Sequence, residues 1–299
     1  MLADIIKIAL PLALMAVMFT HGLELKPREL LATYRDRPLV MLRSLAVVLL
    51  LVPIAALAII FLFRPAPATA IGLAILAASP AAPFQLRNIY KQAGSLVYLS
   101  ALHLSLALLA VITVPAVLNL FSQAVGFEAE VSVFQVGKTA AQTLLIPVVV
   151  GMLVAAFFPK VARIGPTFGR IAEVLLLVMV LLLLIKTFPL LLQMDAWSYV
   201  VMAIFVIVNL GMGHVLGPRD PQERTTLAME SGARNFGLAL TIGMLNFSTE
   251  KTLAVLIPYI IIFAVISTLY LKWRARVTPT VVSSSTQPAS GIQGGDAGS

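Results

Sequence analysis

Residues 226–240, TLAMESGARNFGLAL, put Glu230 and Arg234 inside an apolar run that otherwise has the length and composition of a membrane helix. Charges at bilayer depth are costly and are kept mostly where they face a cavity, an ion path or each other. Gly232 and Gly237 flank the charged turn, and glycine weakens a helix interior. An ionisable pair at a weakened point of a membrane helix is a common way to build a transport site.

The rest of the chain supports a membrane reading. Of its 299 residues 60% are hydrophobic and only 11% charged, with mean hydropathy +1.00. Soluble domains run near a quarter charged. A spanning helix needs roughly 20 apolar residues. About nine such segments fit, at 4–25, 39–63, 69–85, 95–120, 138–158, 168–192, 196–217, 225–246 and 252–273. They leave no room between them for a soluble domain. The long apolar blocks lack the alternation of a β-barrel. The expected fold is an all-α polytopic membrane protein. No cysteine is present, which removes disulfides, thiolate metal sites and cysteine nucleophiles. His21, His103 and His214 fall in different segments with no zinc-binding spacing, so no metal site is expected. The first apolar segment runs into FTHGLELK without a cleavage pattern and reads as a retained helix.

Basic residues orient the segments. Lys26, Arg28, Arg35 and Arg37 follow the first; Arg87 and Lys91 the third; Lys160 and Arg163 the fifth; Arg219 and Arg224 the seventh; Lys272, Arg274 and Arg276 the ninth. The other side has chiefly Arg64, Lys138 and Lys251. By the positive-inside rule the N-terminus is outside and the C-terminus cytoplasmic, in a cell inner membrane. Topology thus accounts for most of the formal net charge of +8, and a nucleic-acid partner is not needed. The transmembrane domain covers 1–277. Residues 278–299, rich in Ser, Gly and Pro, read as a disordered cytoplasmic tail.

Two segments are interrupted. The third, AIGLAILAASPAAPFQLRN, contains Pro80 and Pro83. Proline removes a backbone donor, and the freed carbonyls must face protein or water. The eighth carries SGARNFG. The two run in opposite directions, which points to inverted repeats with a site near mid-membrane where the breaks cross. An ordinary loop at Pro80 and Pro83 is the plainer alternative.

The block TTLAMESGARNFGLAL resembles the E-x-G-x-[QR]-N-x-G-L-A block of the bile acid:sodium symporter family. MAVMFTHGLEL in the first segment and ASPAAP at 78–83 resemble that family's first helix and its proline-containing crossing helix. The resemblance runs over about residues 5–273 and is nearest to nine-helix members. It implies inverted repeats, a core domain with two crossing discontinuous helices, a panel domain, and sodium-coupled uptake of organic anions.

The departures bear on sodium. In the sodium-coupled members a glutamate, a glutamine and backbone carbonyls of this block hold one ion. Glu230 keeps the glutamate, but Arg234 stands at the glutamine position. A further glutamine precedes a proline in an earlier helix; here AVVLLLV precedes Pro53. The second ion site uses Ser-Asn residues, where this chain has Phe84, Gln85 and Leu86; Ser100 lies near a further ligand position. Most side-chain sodium ligands are missing, and Arg234 would supply a fixed cation instead. Sodium remains the coupling ion that the resemblance implies.

Glu230 and Arg234 are spaced to pair on one helix face, either as a strut or as a couple that exchanges partners during transport. Ser231, Gly232 and Asn235 share the break, and Asn235 is the residue expected to touch substrate. Gln85, Arg87 and Asn88 follow the first break. His103 reads as a proton carrier or as a hydrogen-bonded packing residue. The favoured function is secondary transport of a small organic anion by alternating access. Its rivals are a proton-coupled or uncoupled carrier and, more remotely, a membrane ligand sensor. An enzyme is not expected, because Glu230 has no paired acid, nucleophile or metal cluster in the sequence. No nucleotide-binding motif is present. Arsenite carriers of related fold use a cysteine, which this chain lacks.

Overall fold

A computed structural model of the chain describes residues 2–25, 27–80, 96–126, 133–246 and 250–277. Pro83, Gln85, Arg87, Asn88 and the 278–299 tail lie outside the described residues. Every regular element among those described is a helix. In hydrocarbon, unpaired backbone groups find no water, and a helix satisfies them within one segment.

The elements in chain order are α1 (Leu2–Glu24), α2 (Pro27–Asp36), α3 (Pro38–Phe63), α4 (Pro67–Ala78), α5 (Leu96–Val125) and α6 (Phe134–Phe157). A short turn at Pro159–Ala162 leads to α7 (Gly165–Leu191) and α8 (Ala196–Val215). Then come α9 (Pro221–Gly232), α10 (Phe236–Asn246) and α11 (Glu250–Val277). Six stretches, in α3, α5, α6, α7, α8 and α11, are long and apolar enough to cross a membrane. Parts of α1 and α4 are shorter apolar helices. The molecule is an all-α multi-pass membrane protein. Phe168, Ile171, Ile185 and Phe188 on α7 are exposed, as suits a helix whose outer face meets lipid.

Prolines shape several helices. Pro38, Pro67 and Pro221 sit at helix starts, where the missing N–H costs nothing. Pro53 and Pro147 lie inside spans, and each follows a π-helical turn, at Val47–Leu51 and Ala141–Leu145. Val52 N–H reaches back to the Val47 carbonyl, and Ile146 N–H to that of Ala141. Proline cannot donate and crowds the preceding turn, so the ladder widens by one residue just ahead of it.

Close helix contacts use glycine. α1 crosses α6 at Gly22 and Gly151. A Cβ on Gly22 would stand 2.2 Å from the Val148 carbonyl oxygen, and one on Gly151 2.2 Å from that of Phe19. A Cβ on Gly213 would lie 2.5 Å from Ala228 Cα, which sets α8 tightly against α9. Small residues let membrane helices approach in this way.

The loop after the first segment is not structureless. α2 begins at Pro27, and its Tyr34 hydroxyl bonds Ser105 on α5. Arg37, just beyond α2, donates to Glu223 in the first turn of α9 at 2.5 Å. That hydrogen bond raises the guanidinium pKa above its ordinary value.

Asp195 caps α8 and accepts from Ser198 N–H and Oγ–H, both at 2.8 Å. These bonds hold its carboxyl below the usual carboxylate range. The contribution of the cap is therefore present above pH ~4 and is lost as the pH falls through the lowered folded-state value. Asp195→Ala should lower stability by about 1 kcal/mol at neutral pH. Thermal unfolding in detergent at pH 7 checks this; an unchanged midpoint would rule out a contributing cap.

Candidate functional site

α9 is polar for a membrane helix, yet it is buried along most of its length. Thr225, Thr226, Glu230 and Ser231 are all shielded from the surface. Its hydroxyls fold back on the helix: Thr225 donates to the Pro221 carbonyl, Thr226 to Gln222 and Ser231 to Leu227, at 2.8–2.9 Å. This back-bonding satisfies the hydroxyl donors within the helix, and the Thr225 oxygen also accepts from Arg274 Nε of α11 at 2.9 Å.

The helix stops at Gly232. Ala233 is extended, with φ −74° and ψ 122°. A helix end leaves four carbonyls without an intrahelical donor. All four are met here. Ala233 N–H donates to Met229 at 2.8 Å. Arg234 Nη2 donates to Glu230 and Ser231, at 2.8 and 2.6 Å. Tyr259 of α11 donates its hydroxyl to Gly232 at 2.5 Å. A guanidinium at this position also opposes the negative end of the helix dipole. The chain then restarts: Asn235 Oδ1 accepts from Leu238 N–H at 3.0 Å and caps α10.

Arg234 thus departs from the expected ion pair. Spacing of i, i+4 brings side chains together only while the helix continues. α9 ends two residues before Arg234, so its guanidinium turns to main-chain carbonyls instead of the Glu230 carboxylate. As a strut it acts through the backbone.

The first break meets the second. α4 ends at Ala78, where Ser79 N–H bonds the Leu76 carbonyl and Ser79 Oγ bonds Ile75. The Ser79 carbonyl accepts from Asn235 N–H at 2.8 Å. Pro80 follows directly and is buried. The interruption expected around Pro80 and the one at 232–235 are therefore in direct backbone contact.

Around this contact several buried polar atoms have no hydrogen-bond partner. They are both carboxylate oxygens of Glu230, Nε and Nη1 of Arg234, Nδ2 of Asn235 and both ring nitrogens of His103. His103 of α5 brings Nδ1 to 3.6 Å from Glu230 Oε2, too far for a hydrogen bond. The His21 ring of α1 stands edge-on to His103, with centroids 5.5 Å apart. α1, α5 and α9 thus gather two imidazoles and a carboxylate. Among the described residues no group of three or more such side chains is arranged to hold a metal. Gly232 is hemmed in by Phe263 and Leu210: a Cβ there would lie 2.9 and 3.0 Å from them. Ser100 is half-buried on α5, one turn before His103. Sequence reasoning did not find His21, Ser79 or Tyr259. His21 and Ser79 carry a signal, lying within the MAVMFTHGLEL and ASPAAP stretches; Tyr259 carries none.

The fit of sodium can be judged from the same atoms. A cation beside Glu230 would need the carbonyls at the end of α9 as ligands, and those of Glu230 and Ser231 already accept from Arg234. A sodium ion on those carbonyls would stand beside the guanidinium, and the two like charges would repel, so Arg234 makes the end of α9 less favourable to a cation.

A helical membrane protein whose two helix breaks touch at a buried charged centre has the build of a secondary transporter. The chain belongs to the sodium bile acid symporter family, whose model matches residues 11–194. The match includes α4 and the first break and ends before Glu230. No curated protein matches the chain.

Proposed function

We propose that the protein is a secondary transporter of a small organic anion, working by alternating access around the junction of the two breaks. The observation that carries this reading is the set of unpartnered, buried polar atoms on Glu230, Arg234 and Asn235. Buried polar groups are almost always hydrogen-bonded in stable proteins. A group of exceptions where two helices break is what a ligand would satisfy. Arg234 supplies the positive charge for an anion, and Asn235 a neutral donor. Gln85 and Asn88, on the chain leaving the first break, are proposed to line the route, with Ser100 and His103 on its α5 side. Pro80, directly after α4, cannot donate to the preceding turn and so opposes continuation of that helix; Pro83 is proposed to act in the same way. The arrangement of basic residues favours an N-terminus outside and a C-terminus inside the cell membrane.

Sodium is the coupling ion that family membership suggests. One observation favours a second reading, a carrier that is uncoupled or proton-coupled: the guanidinium of Arg234 already serves the carbonyls a sodium ion would use. Tracer uptake into proteoliposomes, with and without an inward sodium gradient, decides between them. The expected result is equal uptake in both. Uptake that needs the gradient would restore sodium coupling, and no uptake of any organic acid would overturn the transporter reading.

A further inference from the structure

The unpartnered atoms of the site are of two opposite kinds. Arg234 uses only Nη2 on the main chain and leaves Nε and Nη1 free. With both Nη2 hydrogens committed, Nε and Nη1 stand on opposite sides of the guanidinium, and each can give an acid group one charge-assisted hydrogen bond. Asn235 adds Nδ2; its orientation follows from Oδ1, which is committed to Leu238 N–H. These are donors for an acid group. Glu230 presents the reverse, two buried carboxylate oxygens with no donor on either. Ser231 is tied to Leu227, and the His103 nitrogen nearest Glu230 stands 3.6 Å away.

A plain organic anion satisfies half of this set. It would pair with Arg234 and Asn235 and leave the buried Glu230 carboxylate with no hydrogen-bond donor and only the His103 ring beside it, at 3.6 Å, a costly situation for a charge away from water. A molecule with an acid at one end and an ammonium at the other satisfies both halves. It also brings no net charge to bilayer depth, where each unpaired charge is penalised.

We propose that the site takes a small zwitterion, an amino acid in the broad sense, with its carboxylate on Arg234 and Asn235 and its ammonium on Glu230. The proposal rests on the reading of this junction as the transport site and adds the second, cationic head of the ligand. The charge-assisted contacts on both ends are the strong kind. Glu230 then selects against simple acids, because they bring no donor to it, whereas an ammonium brings both donors and the opposite charge.

The test measures binding, not transport, so that the two readings fail separately. The purified full chain in detergent is titrated with alanine, β-alanine, 4-aminobutanoate and 6-aminohexanoate. Each is compared with its desamino acid: propanoate, butanoate or hexanoate. Binding is read by thermal shift. At least one amino acid should bind ~10-fold or more tightly than its desamino partner, the ratio that about 1.4 kcal/mol gives. Glu230→Gln should erase that preference and keep the weaker desamino binding. Lactate should bind like propanoate. Equal affinity for amino and desamino acids, a preference that survives in folded Glu230→Gln, lactate binding as tightly as alanine, or no binding by any compound would each overturn the proposal. Zwitterion binding without uptake in vesicles would instead count against the transporter reading alone.

Discussion

Glu230→Gln abolishes measurable uptake while leaving a folded protein: that is the expected result. The carboxylate is buried and accepts no hydrogen bond, so an amide of the same shape removes a charge and breaks no hydrogen bond within the fold; the one polar neighbour it changes is His103, at 3.6 Å. The thermal midpoint should hold or rise, because the variant no longer buries a charge without a hydrogen-bond donor. Transport should suffer, because a buried charge that meets its ligand is worth roughly 2–5 kcal/mol. Uptake should therefore fall by ~30-fold or more. Vesicle uptake and thermal unfolding of the same preparation check both halves. A variant that fails to accumulate as folded protein would assign Glu230 a structural role. One that transports normally would remove it from the site.

The second large effect concerns packing. Gly151→Val should prevent assembly of the helix bundle. A Cβ at this position meets the Phe19 carbonyl oxygen at 2.2 Å and Gly22 Cα at 3.0 Å, backbone atoms that cannot swing aside. Overpacking costs about 1–3 kcal/mol where side chains can yield, and more where they cannot. Here α1 and α6 would have to separate along their crossing. α1 also carries His21 against His103, so the displacement would reach the site. Size-exclusion chromatography of the detergent-solubilised variant should show loss of the monodisperse peak. A sharp peak with an unshifted midpoint would show that these helices do not cross at the glycines.

Much of the fold is legible in the sequence because the membrane leaves few options. Long apolar runs must become helices, and prolines and glycines mark where those helices fail. The contact between the Pro80 break and the Gly232 break follows from that reasoning. What is not legible has a physical pattern. α2 is too short to register as a span, and its charges read as loop. The π-helical turns ahead of Pro53 and Pro147 change the ladder by one residue, below the resolution of hydrophobic pattern. The main-chain partners of Arg234 are not legible from i, i+4 spacing, because that rule holds inside a helix and Arg234 lies just outside one. His21 and His103 belong to different segments, and no periodicity connects them. Tyr259 is an ordinary apolar-helix tyrosine until its hydroxyl is seen on Gly232.

The bond from Asn235 N–H to the Ser79 carbonyl joins the two breaks through main chain alone. Side-chain replacement at either position leaves the amide and the carbonyl in place. This bond is therefore silent to alanine scanning: Asn235→Ala would remove the α10 cap but leave the link itself, which needs at 235 only a residue other than proline. Any cycle that parts the two breaks must interrupt this link, between two residues that are both buried. A contact that side-chain mutation leaves untouched is thus also one that motion cannot avoid.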